Sequence, residues 1–485
     1  MHSNGWMSTQ SQFNAIPIQR TPSPRLPMHT AIFDIGKTNK KFFLFDEQYQ
    51  QVFKGYTTFE EIMDEDGHPT DDLVAIRRWL QELFDQIIAS EEYDIGTLNF
   101  STYGASFVHL DVDGIPLTPL YNYTKPFPEE LRQQFYRTYG PPEAFCRATG
   151  SPDLGMLNSG LQLYWLKHRR PKIYERVRYS LHFPQYLSYL FTGIPVSEYT
   201  SIGCHTGLWD YERGDYHRWV YAEGIDQKLA PVVATETSIN MSYEGRPMKV
   251  GVGIHDSSAA LLPYLRADHK PFLLISTGTW SIALNPRGRD VLSRADLAHD
   301  TLHYMRTDGC AVRATRLFMG HEYKTQIQQL NHRYDKPHGY HRTVRFDERL
   351  YHRLQTGYRP RFRFDSIALA RPAAPVTTDL DGLESFEVAF HQLMLELIEL
   401  QVAQVKRAMA NTPINKIYID GGFADNDMYV QLMAYHFPEQ KLRTIATPLG
   451  SALGAALAVN PEPIKRKFLR KNYGLRKHKP PILDT

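Results

Sequence analysis

Two strand-turn-strand segments, separated by more than two hundred residues, carry the same chemistry and constrain the fold more than any other feature. The first reads HTAIFDIGKTNKKFFLFD, from His29 to Asp46, and the second PFLLISTGTWSIALNP, from Pro271 to Pro286. Each places glycine and hydroxyl residues in a tight turn between two apolar strands: Gly36 and Thr38 in one, Gly278 and Thr279 in the other. Such a turn lets backbone N–H groups and hydroxyls converge on an anion with no side chain in the way. Two of them facing each other would grip a polyphosphate from both sides. Asp34 ends the first strand, where a carboxylate could hold a hydrated Mg²⁺. Lys37 and Asn39 lie in the same turn, within reach of phosphate oxygens.

A chain of 485 residues is long enough for two or three domains, and its 42% apolar content can fill sizeable cores. A formal net charge of +2 gives no reason to expect nucleic acid or an anionic membrane as partner. No run of eighteen apolar residues occurs, so no membrane span is expected. Residues 1–28 are polar and contain prolines, with no apolar signal core; they read as a disordered leader, or as an upstream extension if translation starts at Met28. Cys146, Cys204 and Cys310 stand far apart without metal-ligand spacing, which fits a reducing cytoplasm.

Along the chain, Leu73, Ile76, Leu80, Leu83 and Ile87 repeat at helical spacing, widened by Trp79, Phe84 and Ile88. TLNFSTYG and SFVHLDVDG then predict a strand pair, followed by a mostly helical stretch from Glu129 to Arg178 and a helix that Gly193 can stop. Strand KVGVGI ends at His255-Asp256 and turns into the small-residue helix SSAALLPYL. The polar stretch 320–376 contains His332, His338, His341 and His352 without an acid or cysteine at ligand spacing, and reads as a solvated insertion. A long helix is expected over Leu383–Ala410, then strand KIYID, turn GGFADND, a helix, strand LRTIAT and helix LGSALGAALAV. The tail after Asn460 is rich in Lys and Arg and reads as solvated or loosely docked. Hairpins followed by alternating helix and strand, twice over, describe two α/β domains with a cleft between them: 29–266, and 267–459 with the insertion, flanked by the leader and the 460–485 tail.

No G-x-x-x-x-G-K-[ST] loop, strand-linked G-x-G-x-x-G, G-x-S-x-G or H-E-x-x-H is present, so P-loop, typical dinucleotide, α/β-hydrolase and zincin chemistries are set aside. Asp256, where a strand ends and a helix begins, can accept a hydroxyl proton at the edge of a cleft; the same position suits a helix N-cap. Phosphoryl transfer needs positioning, charge neutralisation and one base, and no covalent nucleophile. Gly421-Gly422, between a strand and a helix, can let a flat or phosphorylated ligand lie on bare backbone.

Taken in order, these pieces resemble the FGGY family of carbohydrate kinases, with the two-domain fold shared with actin, hexokinase and the Hsp70 ATPase. DIGKTNKK resembles the family's first phosphate motif, STGTW its second, IDGGFADND its adenosine motif, and PLGSALGAALAV its closing helix. GIHDSSAAL resembles the segment that carries the catalytic aspartate, here Asp256. His-Asp followed by small residues, S-x-GTW, FPQYLSYLFTG and SEYTSIGCHTGLWD are most similar to rhamnulokinase and fuculokinase members, which phosphorylate O1 of an L-6-deoxyketohexose with MgATP.

The resemblance implies that Asp256 takes the O1 proton, with Gly104, His255 and Ser106 at the sugar. It implies Asp34 at Mg²⁺, Gly36, Lys37, Thr38, Asn39, Gly278 and Thr279 at the phosphates, and Gly421 and Gly422 under the adenosine of ATP. Those enzymes have Gly-Val-Asp beside the sugar where this chain has Gly104-Ala105-Ser106, which leaves a pentulose kinase of the xylulokinase or ribulokinase type as an alternative. A non-catalytic actin-like sugar or nucleotide sensor is the other. Tyr103, Phe107, Tyr121 and Gln162 are further pocket candidates. The implied partners are a sugar and MgATP, in a cytoplasmic protein compatible with a homodimer.

Overall fold

The computed structural model describes residues 28–367, 375–445, 450–465 and 467–479. The leader expectation therefore falls outside the described residues, apart from Met28, which opens the first strand.

Two seven-stranded sheets organise the described chain. The first begins with β1 (Met28–Ile35), β2 (Lys40–Phe45) and β3 (Gln51–Thr57), antiparallel neighbours in sequence. The amphipathic stripe then forms α1 (Leu73–Ser90), opened by an Asp72 cap that accepts from Val74 N and Ala75 N and buried through Leu73, Ile76, Leu80, Phe84 and Ile88. It returns the chain to β4 (Asp94–Thr102), parallel to β1. Strands β5 (Ser238–Tyr243), β6 (Arg246–Gly251) and β7 (Ile254–His255) complete the sheet, β6 and β7 both parallel to β4.

The second sheet repeats this plan. Its hairpin β8 (Phe272–Thr277) and β9 (Ser281–Asn285) is flanked by β10 (Thr301–Met305) and β11 (Ala311–Leu317) on one side. On the other side lie β12 (Lys416–Gly421), β13 (Lys441–Thr444) and β14 (Arg476–Lys477). The order β3-β2-β1-β4-β6 in one sheet matches β11-β9-β8-β12-β13 in the other, with the same parallel and antiparallel senses. The chain has therefore built one supersecondary unit twice, and each unit aims its glycine turn toward the other.

The sheets meet across two helices of small residues, α2 (Asp256–Ala267) and, far along the chain, Gly450–Val459. The latter packs against β1 and β4 as well as α2, and Asn99 Nδ2 of β4 donates to Ala455 O at 2.8 Å. One buried cluster accordingly mixes Ile32 and Phe43 of the first sheet with Leu274 and Leu284 of the second and with Ala259 and Ala455 of the two helices.

Three expectations are corrected. TLNFSTYG and SFVHLDVDG are both strands but do not pair: β4 joins β1, whereas Phe107–Leu110 pairs with Tyr179–His182, because the intervening helices bring that later strand alongside. The 320–376 stretch is no solvated insertion over its described part. It forms α3 (Met319–Arg333) and α4 (Glu348–Thr356), which pack on α5 (Phe386–Met409), burying Leu330, Tyr351, Phe362 and Phe364 in its core. The apolar residues were too widely spaced among Arg, His and Tyr to show the periodicity. Over its described part the basic tail packs as well. With Gly450–Val459 counted as α6, the short α7 (Phe468–Tyr473) buries Leu469 and Tyr473 and donates from Asn472 Nδ2 to Gln48 O at 2.9 Å. No helix among the described residues is long and apolar enough to cross a membrane.

The α2–α6 crossing leaves no room for a side chain. A Cβ placed on Gly454 would stand 1.8 Å from the Ala259 carbonyl oxygen, which is backbone and cannot step aside. We predict that Gly454→Ala lowers stability by about 1–3 kcal/mol, the usual effect of overpacking, read as a shift of the urea midpoint at unchanged slope.

Candidate active site

Strand ends bring the two glycine turns into one cavity of about 560 Å³. In the first turn Gly36 N donates to Asn39 O at 3.0 Å, and a Cβ on Gly36 would meet that same oxygen at 3.1 Å. In the second, Gly278 N donates to Trp280 O at 2.8 Å, leaving Gly278 and Thr279 exposed. The third element is strapped to the second: Thr277 Oγ1 donates to Asp420 O at 2.6 Å and accepts from Phe423 N at 3.0 Å. Gly421 is held at φ +89°, and a Cβ there would lie 1.8 Å from Thr277 O, so only glycine permits the approach of β8 and β12. Gly36, Lys37, Thr38, Asn39, Gly278, Thr279, Gly421 and Gly422 all line this cavity.

The cations sort differently from expectation. Lys37 Nζ is engaged by Asp71 at 2.7 Å and Glu61 at 2.9 Å, and Lys40 Nζ, essentially buried, by the other Asp71 oxygen at 2.8 Å. Burial works against the Lys37 ammonium, but the Asp71 and Glu61 carboxylates outweigh it and hold its pKa above the ordinary value. Lys37 lines the cavity while its charge is already matched. Lys41, which the motif reading passed over, also lines the cavity and stands 3.8 Å from Asp34 Oδ2.

Asp34 is buried at the end of β1. Burial raises its pKa, Lys41 and a hydrogen bond from Ser451 oppose that, and the charge of Asp256 adds to the rise. The two acids therefore sense each other and share one cation, because Lys41 also lowers Asp256. Asp256 is the first residue of α2 and faces the cavity. Its surroundings desolvate the carboxylate and push its pKa up to about 6, against the Ser257 N–H and hydroxyl, which favour the charged form. Such a group is ionised at neutral pH yet basic enough to take a proton, as a general base must be.

His255 stands beside it, Nε2 3.2 Å from Asp256 Oδ1 and 3.0 Å from Cys204 Sγ. Burial lowers its pKa to about 4, with Glu198 pulling the other way, so the ring is neutral at pH 7. Glu198 is itself fully buried, yet its charge is met by Thr200 N, Thr200 Oγ1, Ser201 N and Thr235 Oγ1. Thr200 Oγ1 in turn accepts from His255 N at 3.0 Å, so this acid anchors the strand end that presents His255-Asp256. Gly104 is dictated by the same packing: its Cβ would lie 2.7 Å from Cys204 Sγ and 3.0 Å from the His255 ring.

The remaining pocket candidates divide. Tyr103 lines the cavity, its hydroxyl donating to Asp71 at 2.7 Å. Ser106 does not: it is 2% exposed and its hydroxyl turns to Tyr103, since the chain reverses at Ala105 (φ +60°) and sends residue 106 into the core. Phe107 stacks on His182, Tyr121 packs against Trp165, and Gln162 donates to Ala105 O and Met156 O, shaping the loop from behind. The sequence reading missed Tyr123, His205, Tyr304, Arg316, Asp420 and Ser451, all on the cavity wall. Asp420, Ser451 and His205 sat inside quoted motifs; Tyr123, Tyr304 and Arg316 come from segments with no local signature. Because Asp71 neutralises the buried Lys40 together with Lys37, Asp71→Ala is expected to cost about 3–5 kcal/mol, the effect of orphaning a buried charge, measured by urea unfolding.

Comparisons with known proteins bear on the family and the fold. A family model described as the FGGY family of carbohydrate kinases, N-terminal domain, matches residues 29–255, and one described as carbohydrate kinase FGGY, C-terminal domain, matches residues 269–356. Among curated proteins, a rhamnulokinase of Bacteroides thetaiotaomicron is 27% identical over 238 residues, which is 44% of this chain and 46% of the relative. One of Oceanobacillus iheyensis is 24% identical over 200 residues, 38% of this chain and 40% of the relative. The chain thus matches less than half the length of these relatives. Among solved structures, a carbohydrate kinase from Novosphingobium aromaticivorans superposes with a TM-score of 0.76 at 24% identity, covering 95% of this chain and 96% of that one. A ligand-bound xylulose kinase from Lactobacillus acidophilus gives 0.75 at 15% identity and 94% coverage of both. These likenesses establish the two-domain fold.

Proposed function

The chain belongs to the FGGY family of carbohydrate kinases, and we propose that it transfers the γ-phosphate of MgATP to a primary hydroxyl of a ketose. The observation that carries this reading is a carboxylate with a pKa of about 6, Asp256, on the same cavity as two facing glycine-hydroxyl turns. Asp256 accepts the proton as the sugar oxygen bonds to the γ-phosphorus, and the bond from that phosphorus to the bridging oxygen breaks, releasing ADP. The neutral His255, 3.2 Å from Asp256 Oδ1, orients the carboxylate without adding charge to the site. The turns at Gly36–Asn39 and Gly278–Thr279 hold the phosphates, and Gly421-Gly422 underlie the nucleoside. Approach of the two lobes excludes water and suppresses idle hydrolysis.

Asp34 suits a hydrated Mg²⁺. No group of three or more His, Cys, Asp or Glu among the described residues is placed to hold a metal ion by itself, and Mg²⁺ characteristically takes one or two carboxylates, waters and substrate phosphates rather than an all-protein cage. When bound, the ion would neutralise charge on the transferring phosphoryl group; Asp34 would hold it, with Lys41 supplying a second positive charge nearby.

The preferred acceptor is an L-6-deoxyketohexose, supported by the rhamnulokinase relatives and by the His255-Asp256 segment. The loop Gly104-Ala105-Ser106 brings no carboxylate to the sugar, and this favours a pentulose as the second choice. An ADP-release assay with L-rhamnulose, L-fuculose, L-ribulose and D-xylulose decides; release no faster with any of them than without sugar sinks the kinase reading. Asp256→Asn should retain ADP binding while turnover falls by about 10²–10⁴. Protonation disables the base, so kcat/KM should be level near neutrality and fall about tenfold per unit as pH drops below about 6. A profile flat down to pH 5 would remove Asp256 from this role.

A further inference from the structure

We propose that Arg316 is a specificity-determining residue: it reaches from the nucleotide-gripping lobe and donates its free guanidinium edge to oxygens of an uncharged sugar, coupling sugar binding to lobe approach. This rests on the sugar-kinase reading above.

Arg316 lies on β11 opposite Ile282 of β9, its side chain is only 5% exposed, and what exposure remains faces the cavity. Its orientation is locked from three sides. Nε and Nη2 donate to the two oxygens of Asp300 at 3.1 and 2.7 Å. The Arg316 backbone N–H donates to Asp300 O at 3.2 Å, and Asp300 adopts φ +53°, a conformation that Asp tolerates better than most residues and that turns its carboxylate back onto the guanidinium. The third side is the ring of Trp280, 5.4 Å from the guanidinium carbon.

A guanidinium has five N–H groups. Asp300 takes two on one edge, and among the described residues Nη1 has no protein acceptor. That edge is not sealed off but opens to the cavity, so a ligand there can supply the acceptors that the protein does not. The neighbours on which its charge acts are Tyr304, Cys204 and His205. These surround His255: Tyr304 lies edge-on to it at 5.5 Å, Cys204 Sγ sits 3.0 Å from its Nε2, and His205 meets Tyr304 at 5.8 Å. Arg316 therefore serves the His255–Gly104 end of the cavity, where the acceptor sits. Asp300 already balances its charge, so the pair suits hydroxyl or carbonyl oxygens and gives no net attraction for a sugar acid. Gly104 and His255 belong to the first sheet's lobe and Arg316 to the second, so one sugar held by both draws the lobes together.

The test compares Arg316→Gln, Arg316→Lys and Asp300→Asn with the unaltered protein, measuring ketose KM and kcat together with ADP affinity by calorimetry. Arg316→Gln should raise ketose KM about 10–100-fold, the range for losing hydrogen bonds from a charged donor, with ADP affinity within about twofold. Asp300→Asn, which lies behind the guanidinium, should give a smaller rise in the same parameter, and keeps the test available if Arg316→Gln does not fold. The unaltered protein should prefer the ketose to the matching aldonate. Ketose KM unchanged in Arg316→Gln and Arg316→Lys, or ADP affinity falling in step with KM, overturns the inference while ketose-dependent ADP release persists. Absence of ketose-dependent release from the unaltered protein is the separate result that overturns the kinase reading and this inference with it.

Discussion

Backbone contact between two small-residue helices holds the site together. Gly454 of α6 lies against the Ala259 carbonyl of α2, so close that any side chain would collide. Because α2 begins at Asp256, this contact sets where the base sits, and because α6 begins at Gly450, it sets the wall beside Asp420 and Ser451. The helices come from sequence positions nearly two hundred residues apart, and α6 packs on the first sheet although it follows the second. The lobes are thus interlocked through their centre while their glycine turns face each other across the cavity.

Electrostatics in the cavity depend on which charges are already matched. Three lysines follow Asp34 in close succession, and their local sequence offers nothing to distinguish them. Asp71, the last residue of a separate short strand, claims Lys37 and Lys40 and leaves Lys41 beside the acids. His255 shows the same logic in reverse: it touches a carboxylate, yet burial keeps it neutral, so Asp256 retains a full charge for the proton it must accept. Glu198 is met by hydroxyl and backbone donors instead of a cation.

The glycine turns, the Asp256 helix start and the α1 stripe were legible because each is a local pattern: a turn needs glycine within a few residues, and a helix repeats its apolar positions every three or four. Failures came where the decisive partner is remote. Ser106 looked like a pocket residue, but the left-handed Ala105 beside it turns it inward. Arg316 sits in an ordinary alternating strand, and only the folded sheet brings it past Trp280 to His205 and Tyr304. The stretch after Gly320 concealed two packed helices because Tyr351, Phe362 and Phe364 are scattered among charged residues, and their burial is decided by α5.

Sequence alone determined that this chain would build one hairpin-and-crossover unit twice, with anion-gripping turns and an acid at a helix start, because backbone geometry at glycine and the period of apolar residues act within a dozen positions. The tertiary structure decided which lysine keeps a free charge, which side chains reach the sugar end and how far the base is pushed from its ordinary pKa. Those outcomes depend on burial and on charges brought together from distant segments, and no local spacing encodes them.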